Sequence, residues 1–444
     1  MVFTFNDMIA SLRAAMGTFP DVRTGKNIQY EVLDAACGAF SVFFTQCPSF
    51  LSHQILMQQK YSISNARTLF GMRDIPSDNQ IRNLLDEVSP ALLSPVFDDC
   101  FNAINSSGHL NVYRVKLGKD TNDLLLAIDG TQYFSSDTIR CVNCSKKVKE
   151  DETVYAHSMV TPTIVAPGNN RVLSLTPAFI TPQDGDTKQD CELKASKRWI
   201  TANAATLSPL GITVLGDDLY AHEPFCKELL AAGFNFILVC KPDSHKTVYE
   251  WVKGITYEYV QDRFDGKKHL VYTYKYTEGI PLRDTVKKDD ETLLVNFVEV
   301  IVTERMSGKQ VYHNAFITNH PLTPETLPVI VDCGRTRWKI ENENNNTLKT
   351  QGYHLEHNFG HGKKHLASIL ATMNLLAFLF HTMLEYMNKN YQLLREIIGA
   401  RKHFFNDIRT LLKMFCFKSF DTLMDFMIAG LKKPHDPDTV TVPI

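Results

Sequence analysis

Along the first 120 residues apolar positions recur at three- and four-residue spacing, the pattern of helices that each bury one face. In IPSDNQIRNLLDEV, from Ile75, Ser77 is placed to cap a helix whose inner face carries Ile81, Leu84, Leu85 and Val88. Ser94-Pro95 punctuates the start of another helix running into VFDDCFNAI. The pattern then changes. LLLAI (124–128) is a continuous apolar run followed at once by Asp129 and Gly130, and it predicts a strand buried on both faces. MVTPTIVAPG and RVLSLTPAFI carry the β-branched and aromatic content of further short strands. KQDCELKASKRWI (188–200) predicts a helix, and GITVLG (211–216) a second buried strand that ends at Asp217-Asp218. A helix through FCKELLAAG and a strand at FNFILVC follow. Strand, helix and strand joined by short connections predict an α/β layer.

From 243 to 331 the chain alternates at period two and is rich in aromatics, which predicts antiparallel strands with a turn at Asp265-Gly266. Helical spacing returns afterwards, broken by polar stretches at 360–362 and 388–390. The expected organisation is a helical region at 1–120, an α/β core at 121–242, a β-rich insertion at 243–331, a helical region at 332–430 and a tail at 431–444.

Composition narrows the class. With 44% hydrophobic and 22% charged residues, the chain is neither mainly disordered nor fibrous. The net charge of -2 points to no partner. Residues 331–433 hold fifteen Lys and Arg against nine Asp and Glu, which suits a DNA-facing surface and an ordinary surface equally. Ten scattered cysteines and no secretory pattern at the amino terminus lead to the expectation of a cytoplasmic protein. The apolar segment 366–384 approaches the length of a membrane span, but Ser368, Asn374 and His381 favour a core helix, so no membrane is expected.

Candidate chemistry begins with the acids that follow apolar strands. Asp129 and Asp217 stand where ligands gather in an open α/β sheet, although acids there also cap turns and helices. Spacing alone does not select them from 49 acidic residues. Cys141-x-x-Cys144 has the spacing of half a structural zinc site, with His157 the nearest further ligand before Cys191; two ordinary cysteines in a hairpin are the plainer alternative. His354, His357, His361 and His365 recur at helical spacing, but Gly360 and Gly362 interrupt the helix, and Lys363 and Lys364 suit the neighbourhood to DNA backbone contact. Arg67, Arg73 and Arg82 in the first region, and Arg395, Arg401, Lys402, Arg409 and Lys413 in the last, fit either DNA contact or solvated helix faces.

Three segments resemble the DDE transposases of bacterial insertion sequences: LLLAIDGTQYFSS, VLGDDLYAHEPF and RTRWKIENENNNTLKTQGYHLEHNFGHGKKH. The likeness spans about 124–420, with the preceding helices resembling that group's amino-terminal domain. It implies an α/β fold with a ribonuclease H-like mixed-sheet core, a β-rich insertion between the second aspartate and the glutamate, and helical regions on both sides. It implies that Asp129, Asp217 and Glu341 are catalytic and hold two Mg²⁺ ions, with Mn²⁺ as a substitute. Asp218 and Glu343 are the nearest rivals for the second and third acids. Arg337, Trp338, Ile340 and Glu341 match the family's Arg-Trp-x-Ile-Glu core, whereas Gly334 stands in the tyrosine place of the broader signature and Lys349 lies one residue beyond the usual lysine. Arg337, Lys349, Trp338, Lys363 and Lys364 are the expected DNA contacts. The implied activity is cleavage at element ends and joining of the freed 3′-hydroxyl to target DNA, by a homodimer or larger assembly on double-stranded DNA. A related nuclease without joining, and a decayed DNA-binding protein, are the alternatives.

Overall fold

The computed structural model describes residues 3–25, 28–57, 64–119, 121–149, 152–182, 191–266, 268–282 and 292–432. Most of the expected tail, 433–444, and the start of the expected helix at 188–190 lie outside them. The described strands are β1 (Arg114–Val115), β2 (Asp123–Ala127), β3 (Gly130–Ser136), β4 (Ser145–Lys149), β5 (Glu152–Val160), β6 (Thr163–Ala166), β7 (Asn169–Ser174), β8 (Ala178–Ile180), β9 (Ile212–Gly216), β10 (Asn235–Val239), β11 (Tyr257–Asp265), β12 (Lys268–Pro281), β13 (Leu294–Glu304) and β14 (Gln310–Thr318).

The apolar runs that lack polar alternation become the centre of a ten-stranded mixed sheet, because only burial on both faces suits them. Its order is β11-β12-β13-β14-β10-β9-β2-β6-β7, with β1 beside β2. β2, β9 and β10 run parallel; on one side β6 is antiparallel to β2 and β7 to β6, and on the other β14 is antiparallel to β10. The expected β-rich insertion is thus an antiparallel four-strand extension of this same sheet, reached through the short helix at Lys246–Val252. A second sheet, β3-β5-β4 with β8 on β5, springs from the residue after Asp129.

Helices α1 (Phe5–Met16), α2 (Val32–Phe44), α3 (Phe50–Met57), α4 (Asn65–Phe70), α5 (Asp78–Leu85) and α6 (Ser94–Ser106) fill the first region. Ser77 caps α5 through the Gln80 amide, and Ile81, Leu84, Leu85 and Val88 are buried as the spacing requires. α7 (Glu192–Leu207), α8 (Glu223–Ala231) and α9 (Lys246–Val252) accompany the sheet. Next come α10 (Leu327–Thr336), α11 (Asn346–Thr350), α12 (Leu366–Met387), α13 (Lys389–Ile398), α14 (Arg401–Met414) and α15 (Phe420–Lys432).

α12 is the one described helix long and apolar enough to cross a membrane, and its apolar window is entirely buried in the fold, which is compatible with a soluble protein. It lies between the amino-terminal helices and the sheet, packing on α2, α5, α6 and β7. Phe40 and Phe380 meet edge to face at 5.1 Å. Each such buried ring contributes about 1.5–3 kcal/mol relative to exposure. The two helical regions, far apart in sequence, therefore share one core.

Candidate functional site

β2 and β9 are parallel neighbours in register, Leu124 opposite Ile212 and Ala127 opposite Leu215. The Ile128 amide extends the ladder to the Leu215 carbonyl at 2.9 Å. Two residues beyond the last paired positions, Ala127 and Leu215, stand Asp129 and Asp217. Adjacent strands lie about 4.8 Å apart, so equal overhang delivers both carboxylates to one end of the sheet.

The segment that carries Glu341 is fastened to that end. Ile340–Asn345 forms a π-helical stretch between α10 and α11, a local widening frequent at functional sites. The polar run reads as solvated in sequence, yet Asn344 and Asn345 are buried. Asn344 accepts from the Ser174 hydroxyl at 2.6 Å, at the end of β7. Asn345 accepts from the Thr161 hydroxyl at 2.9 Å and donates through Nδ2 to Asp129 Oδ2 at 3.2 Å. Glu341 itself is half exposed and takes an ion pair from Arg337, one turn earlier, at 2.5 Å.

A fourth carboxylate joins them. Glu192, first residue of α7, accepts from the Gly130 amide at 3.0 Å and from the Tyr220 hydroxyl at 2.7 Å. Any side chain at Gly130 would overlap the Glu192 carboxylate, so the glycine after Asp129 is what admits it. Tyr220 belongs to the VLGDDLYAHEPF segment of the resemblance and is fully buried. Burial, and then the nearby Glu192, Glu341 and Asp217 carboxylates, push the Asp129 carboxyl up to about 7 against the opposing pull of Arg337. The acids therefore sense one another strongly. Among the described residues, however, they do not bring three ligand atoms within 4.8 Å, so the site is spread rather than closed around one point.

The rivals are engaged elsewhere. Asp218 accepts from the Lys241 amide at 2.6 Å and lies 3.2 Å from His245 Nε2. Glu343 lines a polar cleft of about 410 Å³ with Arg171, Arg395 and Arg401. Arg171, Arg395 and Arg401 surround Glu385 at 3.1, 3.5 and 3.6 Å, and Arg409 donates to the Thr45 and Gln46 carbonyls. Three of the five carboxy-terminal basic residues considered for DNA thus serve the interior, because helix packing turned them inward. Of the expected DNA contacts, Lys349 pairs with Glu356 at 2.8 Å and Lys364 with Glu87 at 2.7 Å, while Lys363 and Trp338 are exposed.

A separate cluster forms around the cysteine pair. Cys141, Cys144, His157 and His361 place four ligand atoms within 4.8 Å of one another and could hold a metal such as zinc. Sequence supplied the first three; His361, expected to sit in a DNA-facing segment, is the fourth. Cys191, the other residue weighed there, is exposed at the start of α7 and is not part of this group. Burial and then His361 lower the His157 pKa to about 4, so its imidazole is neutral, and burial pushes the Cys141 thiol up to about 11.

No protein-family model matches the chain, and no curated protein does either.

Proposed function

We propose that the chain is a metal-dependent DNA phosphoryl transferase of the DDE transposase type, with Asp129, Asp217 and Glu341 as its metal-holding acids. The observation that carries this reading is the in-register pair β2 and β9, which overhang by equal lengths at Asp129 and Asp217, with the Glu341 segment tied to Asp129 through Asn345. The strand order β7-β6-β2-β9-β10, in which β6 alone runs against the other four, supports a ribonuclease H-like core.

The donor set fits hard divalent cations: carboxylate oxygens, mutually repelling, with one guanidinium among them. Two such ions, held by Asp129, Asp217 and Glu341, would activate the attacking oxygen and steady the leaving one. Asp129 and Asp217 provide the fixed edge from the sheet. Glu341, half exposed and ion-paired with Arg337, would be the third ligand. Arg337, released from Glu341, becomes available to a phosphate oxygen. Glu192, held by Tyr220 and Gly130, adds negative charge beside Asp129 and favours cation entry.

The test is an assay with labelled element ends, target DNA and Mg²⁺ or Mn²⁺. Joining of a 3′-end to target supports the proposal. Cleavage without joining makes the chain a nuclease, and binding without either makes it a decayed DNA-binding protein.

A further inference from the structure

We propose that Cys141, Cys144, His157 and His361 bind one structural Zn²⁺ that clamps the small sheet beside Asp129 to the loop that follows the Glu341 segment. The separations match a tetrahedral ion. Zinc with sulfur at about 2.3 Å and nitrogen at about 2.0–2.1 Å sets its ligands about 3.8 Å apart for S to S, about 3.5 Å for S to N and about 3.3 Å for N to N. The cluster has Cys141 Sγ to Cys144 Sγ at 3.8 Å, each Sγ to His157 Nε2 at 3.4 Å, Cys144 Sγ to His361 Nε2 at 3.4 Å, and the two Nε2 atoms at 3.1 Å. A Cys-Cys bond needs about 2.05 Å and is absent.

The surroundings suit the same ion. His361 Nδ1 donates to the Gly362 carbonyl at 2.9 Å, which leaves the Nε2 lone pair facing the cluster, as an outer hydrogen bond does for a ligating histidine. Two thiolates and two neutral imidazoles bring a dication to zero net charge, and Phe134 and Tyr133 pack their rings against the histidines. Thiolate donors exclude Mg²⁺ and select zinc among common ions. Four protein ligands leave no open position, so the role is structural rather than catalytic.

The clamp has a definite geometry. Cys141 and Cys144 lie in the turn before β4, and His157 lies on β5 opposite Phe134 of β3, the strand that begins at Gly130. His361 belongs to the segment between α11 and α12. The carboxylate of Asp86 fastens the same segment by accepting from the amides of Lys363, Lys364, His365 and Leu366 at 2.9–3.2 Å. Gly362 has φ +69°, and a side chain there would overlap Asp86. Asp86 holds this segment from one side and the zinc would hold it from the other.

Metal analysis of the full-length protein, purified without chelator, should give about one zinc per chain, with K-edge absorption showing two sulfurs at about 2.3 Å and two nitrogens at about 2.0 Å. Cys144→Ser should lower retained zinc by at least about tenfold after dialysis, and His357→Ala and Asp129→Asn should retain it. The absorption spectrum of the wild type stands even if the serine variant fails to fold. Zinc ligated only by oxygen and nitrogen, a Cys141–Cys144 disulfide in the purified protein, or zinc-free protein from zinc-supplemented cells would each overturn the proposal.

Discussion

The acid cluster and the Cys/His cluster share the small sheet, yet their side chains meet in opposite ways. Gly130 and Phe134 on β3 face Val160 and His157 on β5, so the clusters are separated by about 10 Å along that strand pair. At the Cys/His end four ligand atoms already converge, with separations that one ion satisfies. At the acid end the carboxylates repel, Asp129 is driven toward protonation and Glu341 is drawn off by Arg337. A closed set of soft ligands is built to hold its ion permanently. Under the proposed function, the spread set of hard ligands would gain its cations with substrate, and the open coordination would serve the chemistry.

The largest effect expected from breaking this contrast is at the acids. Asp129→Asn, Asp217→Asn and Glu341→Gln should each lower DNA cleavage by at least about a thousandfold, equivalent to about 4 kcal/mol of barrier. DNA binding and zinc content should be unchanged. Asp218→Asn should keep most activity, since that carboxylate serves the Lys241 amide and His245; a dead Asp218 variant beside an active Asp217 variant would reverse the assignment.

Next in size is the Cys/His cluster. Cys144→Ser should lower the melting temperature by roughly 5–10 °C, as loss of a structural metal removes folding energy. Residual cleavage should remain in the folded fraction, which an acid variant cannot show. Unchanged melting would mean that the cluster carries no ion.

Smaller still is the effect of Glu192→Gln, about ten- to a hundredfold on cleavage. It also sharpens the electrostatic account. The Asp129 carboxyl is raised to about 7, so below that pH a proton occupies it and competes with the cation. Mg²⁺ affinity should therefore rise as pH rises through about 7. Removing the Glu192 charge lowers the Asp129 pKa and moves that rise to lower pH. Calorimetric titration with Mg²⁺ at several pH values reads both; an affinity flat with pH would contradict the account of Asp129 as a raised carboxyl that binds the cation.

Much of this frame was legible in the sequence because burial leaves a simple signal there. LLLAI and GITVLG are apolar without alternation, and such runs become the central parallel strands. The helix face of α5 and the β-rich insertion followed from periodicity in the same way. What escaped reading depends on contacts between distant segments. Glu192 sits 62 residues from the Gly130 amide it accepts from, and His361 lies 217 residues from Cys144. No local period records either meeting. The run of ENENNN looked solvated because buried asparagines are satisfied only by partners such as Thr161 and Ser174, which the fold supplies. Arg395 and Arg401 looked like surface charges for the same reason; their partner Glu385 is on another helix. The choice of Glu341 came from the resemblance rather than from any physical signal in its own segment.

Anomalous diffraction from crystals soaked in Mn²⁺ tests the central claim most directly. The account expects manganese coordinated by both Asp129 and Asp217, with Glu341 turned from Arg337 toward the ion when DNA is present. Manganese bound at Asp218 and His245 instead, or no manganese near Asp129 in crystals that also contain DNA, would contradict it.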